Sequence, residues 1–137
     1  ELAKQELGSL TGKAITMLGI SFKPDSDDLR DSPALEISQR LTALGAKVTV
    51  HDPVSLVPLA TRSPELLRNE NLMSAATGAE LVILGTEWKQ YRDIDSVELG
   101  AVVAVKTIVD GRNVLDVAKW QAAGWRVIAL GRNVHNG

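Results

Sequence analysis

Cysteine is absent from the 137 residues. That removes disulfides, thiolate zinc sites and every cysteine nucleophile within these residues. No apolar run approaches the roughly 18 residues that a membrane span requires, and no signal-peptide pattern opens the chain. An excess of basic charge is also missing: 15 Lys and Arg stand against 17 Asp and Glu, for a net charge of −2. A nucleic-acid binder that relies on a general electrostatic footprint is normally basic, so that class starts at a disadvantage. An initiating methionine is lacking as well. The chain opens on Glu1, as a fragment of something longer would. What remains is ordinary for a soluble fold: 45% hydrophobic and 23% charged residues, in a length suited to one compact domain.

Short apolar runs alternate with longer amphipathic stretches. Ala14 to Gly19 reads as a first strand ending at a glycine. Pro33 to Leu44 follows as a helix, with Ala34, Ile37, Leu41 and Leu44 at helical spacing. Ser32 supplies an N-cap, Pro33 a first helical residue and Gly45 a stop. Lys47 to His51 is a second strand, Glu80 to Gly85 a third, Val105 to Val109 a fourth and Arg126 to Leu130 a fifth. Between the second and third strands, Leu56 to Leu59 and Leu72 to Ala76 can each carry a short helix. Val114 to Ala122 reads as another, with Leu115, Ala118 and Ala122 inward. Nearly continuous apolar strands separated by helical segments imply a parallel sheet covered on both faces. Right-handed crossovers then lead to an α/β, Rossmann-like, doubly wound parallel five-stranded sheet with helices on both faces. Residues 1–10 read as the tail of an incoming linker or helix, 11–132 as the domain and 133–137 as a polar tail.

Ligands of open α/β sheets sit at the carboxyl ends of the strands, near the point where strand order reverses. The loop after the first strand runs from Gly19 to Pro33. A dinucleotide fingerprint would place glycines two and five residues after Gly19, where Ser21 and Pro24 stand. The loop instead offers two cations, Lys23 and Arg30, near a helix N-terminus. Arg30 can take two phosphate oxygens at once, while Lys23 acts as a point charge. Phe22, the only phenylalanine, can flank a base or a sugar. Taken singly, loop cations are most often solvated charges, and a lone phenylalanine is more often core. Asp25, Asp27, Asp31 and Glu36 fall on EF-hand spacing, but Leu29, Arg30 and Pro33 occupy positions that need a ligand, a glycine and another ligand. Calcium is rejected.

The run from Leu18 to Pro33 resembles the opening of the C-terminal domain of the UDP-glucose/GDP-mannose dehydrogenase family. His51-Asp52-Pro53, Thr86-Glu87-Trp88, Asp110-Gly111-Arg112-Asn113, Gly124-Trp125 and Gly131-Arg132 agree with it in order. The resemblance covers roughly residues 10–132 and is nearest to the UDP-glucose 6-dehydrogenase branch. Such enzymes have an N-terminal NAD-binding domain, a central helix and this C-terminal domain. They oxidise the sugar C6 alcohol to a carboxylate in two hydride transfers to NAD, through a cysteine thiohemiacetal. The resemblance therefore implies a nucleotide-sugar-binding domain that is inactive alone, in a cytoplasmic, homo-oligomeric enzyme supplying polysaccharide precursors. It implies that Phe22 and Lys23, with Ser21 beside them, contact the UDP-sugar. Arg112 would reach the same ligand and Arg30 would face the NAD held mainly by the N-terminal domain. The implied partners are the UDP-sugar and the other domains of the same polypeptide, with no nucleic acid, no membrane and no metal. The strand before Arg112 is expected to lie beside the first strand, so that Lys23 and Arg112 flank one crevice.

The remaining polar and aromatic residues receive plainer readings. Trp88 is expected to pack a short helix onto the sheet rather than stack on uridine, and Glu87 to cap or pair internally. Asp110 is expected to shape the turn before Arg112 rather than act as a base. His51 and His135, the two histidines, lack metal-ligand companions in sequence. Asp52 stands where a Rossmann acid would hold a ribose, but without the glycine fingerprint that role does not follow. Two other functional classes stay open on the sequence: a stand-alone nucleotide-binding or regulatory module, and a structural domain that only buries an interface.

Overall fold

The computed structural model of the chain describes residues 10–20, 32–86, 88–112 and 115–129. Six parallel strands form one sheet: β1 (Ala14–Leu18), β2 (Lys47–His51), β3 (Leu67–Arg68), β4 (Leu81–Leu84), β5 (Thr107–Asp110) and β6 (Arg126–Ala129). The described helices are α1 (Pro33–Ala43), α2 (Leu56–Arg62), α3 (Leu72–Ala76), α4 (Lys89–Arg92), α5 (Ser96–Val102) and α6 (Val117–Ala122). Strand order is β3-β2-β1-β4-β5-β6. The order thus reverses between β1 and β4, where Ile15 pairs with Leu81 and Leu18 with Leu84. Among the described residues, no helix is long and apolar enough to cross a membrane.

Successive side chains of each strand point to opposite faces, so the apolar strands feed two cores. Ile15, Met17, Val48, Val50 and Ile83 pack with Ala34, Leu35 and Leu41 of α1 and Leu59 of α2. Leu18, Val82, Leu84, Ile108 and Val127 pack on the other face with Tyr91, Leu99, Trp120 and Trp125. Thr16, the polar exception within β1, is buried and donates its hydroxyl to the Ala75 carbonyl at 2.7 Å.

The start and stop of α1 follow the local chemistry. Ser32 Oγ accepts from the Leu35 N–H at 3.1 Å, and Pro33 occupies the first turn. At the other end, the Ala46 N–H donates to Leu41 and the Gly45 N–H to Thr42, the paired bonds of a Schellman stop. Gly45 sits at φ 100°, a left-handed conformation that favours glycine.

The structure differs from the sequence reading at several points. The sheet has six strands rather than five, because the two-residue edge strand β3 pairs Thr49 with Leu67 and Val50 with Arg68. Both β3 residues are exposed, so no apolar run announces it. Ile37 and Leu44 do not join the buried stripe of α1. Ala34, Leu35, Ser38 and Leu41 do, and Ser38 enters it by donating its hydroxyl to the Ala34 carbonyl at 2.8 Å. The last helix starts at Val117, not Val114, because the Asp116 side chain caps it by accepting from the Lys119 N–H at 3.2 Å. That start turns Trp120 inward and leaves Ala118 and Ala122 exposed. Trp120 meets Trp125 edge to face, with ring centroids 5.0 Å apart. The strand expected from Val105 begins at Thr107, since Val105 lies in a turn whose N–H donates to the Ala79 carbonyl at 3.2 Å.

Candidate functional site

The carboxyl ends of β1 and β4 meet at the reversal of strand order, and glycines make that approach close. The Gly85 N–H donates to the Leu18 carbonyl and the Gly19 N–H to the His51 carbonyl, both at 2.8 Å. Gly19 has φ 89°, and a Cβ there would come within 2.6 Å of Thr86 Cβ. A Cβ on Gly85 would come within 2.7 Å of the Gly19 carbonyl oxygen. These two exits leave no room for side chains, so the crevice is shaped by backbone.

Asp52 braces the crevice from the β2 side. It is buried, its Oδ2 accepts from the Ile20 N–H at 2.9 Å, and its Oδ1 accepts from the Val54 and Ser55 N–H groups, each at 2.9 Å. The bonds to Val54 and Ser55 form the Asx turn that Asp before proline favours. On the other side of Ile20, the Ser32 hydroxyl donates to the Ile20 carbonyl. Both backbone polar groups of Ile20 are therefore engaged within the protein.

Beneath this brace, Tyr91 and His51 form a buried pair. The Tyr91 hydroxyl donates to the His51 carbonyl at 3.0 Å and lies 2.8 Å from His51 Nδ1, with the rings edge to face. Burial raises the Tyr91 phenol far above its ordinary range, the Asp52 carboxylate adds to the rise, and a backbone bond with Gly19 opposes it. The hydroxyl keeps its proton. Burial also lowers the His51 imidazole, against the opposing influences of Asp52 and of a backbone hydrogen bond with Glu70.

At the β5 exit, Asp110 is buried, its Oδ1 accepting from the Arg112 N–H at 3.0 Å and its Oδ2 from the Leu115 N–H at 2.9 Å. It shapes the turn, as its sequence context suggests. Arg112 follows, half-buried, two residues beyond the strand. Trp88 stands at the start of α4 and packs against the second core, in keeping with the packing role expected of it. Its Nε1 is buried and has no hydrogen-bond partner.

Of the predicted site residues, Arg112 is placed at the carboxyl edge. Ser21, Phe22, Lys23 and Arg30 lie outside the described residues, as do Glu87, Asn113 and His135. One expected adjacency is corrected: β4 lies between β1 and β5. With about 4.8 Å between neighbouring strands, the loop after β1 and the turn before Arg112 start roughly 10 Å apart. A diphosphate with a sugar spans such a gap; a single phosphate does not. Sequence reasoning missed Tyr91, and it left Asp52 without a role. The Asp52-Pro53 step was the available signal for the Asx turn.

Among the described residues the crevice does not present the usual Rossmann cradle for a dinucleotide. Ile20 turns its N–H to Asp52 instead of a pyrophosphate, and α1 begins only at Pro33. Among the described residues no group of three or more His, Asp or Glu gathers as metal ligands.

Known proteins share this sequence pattern and this fold. The family model for the UDP-glucose/GDP-mannose dehydrogenase family, UDP binding domain, matches residues 16–117. A UDP-glucose 6-dehydrogenase of Pseudomonas aeruginosa is 34% identical over 143 residues, covering 96% of this chain and 32% of that protein. A UDP-glucose dehydrogenase structure from Pyrobaculum islandicum superposes with a TM-score of 0.75 at 32% identity, over 95% of this chain and 27% of the other. An NDP-N-acetyl-D-galactosaminuronic acid dehydrogenase from Methanosarcina mazei Go1 superposes with a TM-score of 0.82 at 27% identity, over 96% and 27%. The chain spans about a third of the length of the curated relatives it matches.

Proposed function

Because this chain belongs to the UDP-glucose/GDP-mannose dehydrogenase family, we propose that residues 11–132 are the UDP-sugar-binding C-terminal domain of an NAD-dependent UDP-glucose 6-dehydrogenase. The whole enzyme oxidises the sugar C6 alcohol to a carboxylate, in the cytoplasm, as a homo-oligomer. This reading is supported by one observation: among the described residues the cleft at the reversal of strand order is built on backbone approach without a dinucleotide cradle, and Arg112 follows the next strand at the same carboxyl edge. Arg112 holds the UDP-sugar from the β5 side. Ser21, Phe22 and Lys23 hold it from the β1 side, and Arg30 faces NAD. The NAD and the catalytic cysteine belong to other domains of the same polypeptide. No cysteine occurs in these 137 residues, so they oxidise no UDP-glucose alone.

Titration of the ¹⁵N-labelled chain with UDP, UDP-glucose and GDP tests the reading. With one wall of the cleft contributed from elsewhere, affinity for UDP is expected on the order of millimolar, about −4 kcal/mol. Shifts should gather at Gly19, Ile20, Gly111 and Arg112, and GDP should bind more weakly. Shifts confined to Gly12, Gly45 and Gly78, at the amino-terminal edge, would refute it. So would no binding by any of the three nucleotides.

A further inference from the structure

We infer that Asp52 and Ser32 are positioning residues for nucleotide binding, acting through the single peptide residue Ile20. Ile20 is fully buried. Its N–H donates to Asp52 Oδ2 at 2.9 Å, and its carbonyl accepts from the Ser32 hydroxyl. Ser32 Oγ in turn accepts from the Leu35 N–H at 3.1 Å. A continuous run of hydrogen bonds thus links the turn after β2, the exit of β1 and the cap of α1. Asp52 is held in place for this task by its own turn, since Oδ1 already serves Val54 and Ser55. The Ile20 peptide lies at the exit of β1, and its orientation shapes the wall of the crevice where strand order reverses. Two buried side chains from separate elements hold that orientation from both sides. A peptide freed from either would rotate, and a nucleotide would lose affinity without losing any group that touches it.

This inference rests on the proposed UDP-sugar site. Asp52→Asn is the informative change, because an amide has one oxygen where the carboxylate has two. Seating that oxygen on the Val54 and Ser55 N–H groups turns the amide NH₂ against the Ile20 N–H, donor facing donor. The turn survives and the Ile20 contact does not. Removing a carboxylate near a diphosphate site would, by Coulomb's law alone, tighten binding. A weakening therefore reports on the peptide rather than on charge.

The experiment titrates the 137-residue chain with UDP, by NMR and calorimetry, for the wild type, Asp52→Asn, Ser32→Ala, the double variant and Gly45→Ala. Gly45 lies at the opposite edge of the sheet, where an added Cβ would come within 3.2 Å of Thr11 Cα. It serves as the control for lost stability. The expected result is a five- to tenfold weaker UDP affinity for Asp52→Asn and for Ser32→Ala. The double variant should be little worse than either, since both hold one peptide. Gly45→Ala should lower the melting temperature comparably and leave affinity within twofold. Should Asp52→Asn fail to fold, Ser32→Ala decides alone. Wild-type affinity in both variants overturns the inference and leaves the proposed function standing, as does an equal loss in Gly45→Ala. No UDP binding by the folded wild type overturns both.

Discussion

Replacing Tyr91 by phenylalanine tests whether the buried pair beneath the crevice stabilises the fold. The ring is fully buried and stays so in the variant, its edge still against the His51 ring at a centroid distance of 5.6 Å. No cavity larger than a hydroxyl opens, so the large-to-small term of core substitutions is small. What disappears is the bond from the hydroxyl to the His51 carbonyl at 3.0 Å and the contact with His51 Nδ1 at 2.8 Å. The carbonyl keeps the Gly19 N–H as a partner, so its loss is an ordinary one of about 1 kcal/mol. Nδ1 lies on a residue only 2% exposed, and a buried nitrogen deprived of its partner costs about 1–3 kcal/mol. Together the expected destabilisation is about 2–4 kcal/mol. For a domain of this size that lowers the melting temperature by roughly 8–16 °C. Urea unfolding followed by circular dichroism is the assay, with an unchanged m-value as the sign that two-state behaviour persists. In a His51→Asn background the cost of Tyr91→Phe should shrink by about 1 kcal/mol or more, the coupling of residues in direct contact. A loss below about 0.5 kcal/mol, or full additivity with His51→Asn, would refute the reasoning.

Four further outcomes are expected. The wild type should lose stability as pH falls below about 6.5, the ordinary histidine value, because burial lowers the His51 pKa and the folded state then binds fewer protons than the unfolded chain; thermal melts from pH 8 to pH 5 should show this slope, and His51→Asn should flatten it. Gly19→Ala combines a left-handed φ of 89° with a Cβ 2.6 Å from Thr86 and should cost more than about 3 kcal/mol, whereas Gly78→Ala, at φ 75° with nothing within 4 Å, should cost only about 1–2 kcal/mol in the same urea assay. Arg112→Ala should weaken UDP-glucose binding about ten- to a hundredfold, roughly 1.5–3 kcal/mol, with little change in melting temperature, and Arg112→Lys should recover only part; a lower melting temperature with intact affinity would make Arg112 structural. Asp110→Asn can satisfy only one of the Arg112 and Leu115 N–H groups, so calorimetric unfolding should report a loss of about 1–3 kcal/mol.

How much of this was legible in the sequence depended on the reach of each interaction. Ser32, Pro33 and Gly45 announced the bounds of α1 because a cap and a stop act within four residues of themselves. The Asp110 turn was readable for the same reason, its carboxylate reaching only to Arg112 and Leu115. Single-residue registers were harder. Asp116 moved the start of α6 and so turned Trp120 inward in place of Ala118 and Ala122, a choice between two faces that apolar spacing left close. Strand order was a step further removed. The alternation of strands and helices implies a parallel sheet, yet it does not say that β4, and not β5, lies beside β1. The braces of the crevice were beyond reach, since Ile20 meets Asp52 across 32 residues and His51 meets Tyr91 across 40. Neither pair has a spacing that could mark it. Yet both converge on the exit of β1, where Gly19 permits the approach and leaves the backbone without side-chain support of its own. A glycine-built crevice must be held from outside, so the residues that hold it come from other strands. The motifs along this edge pointed to the family, because each is a short run of neighbouring residues; the residues that support its backbone had to be found from contacts.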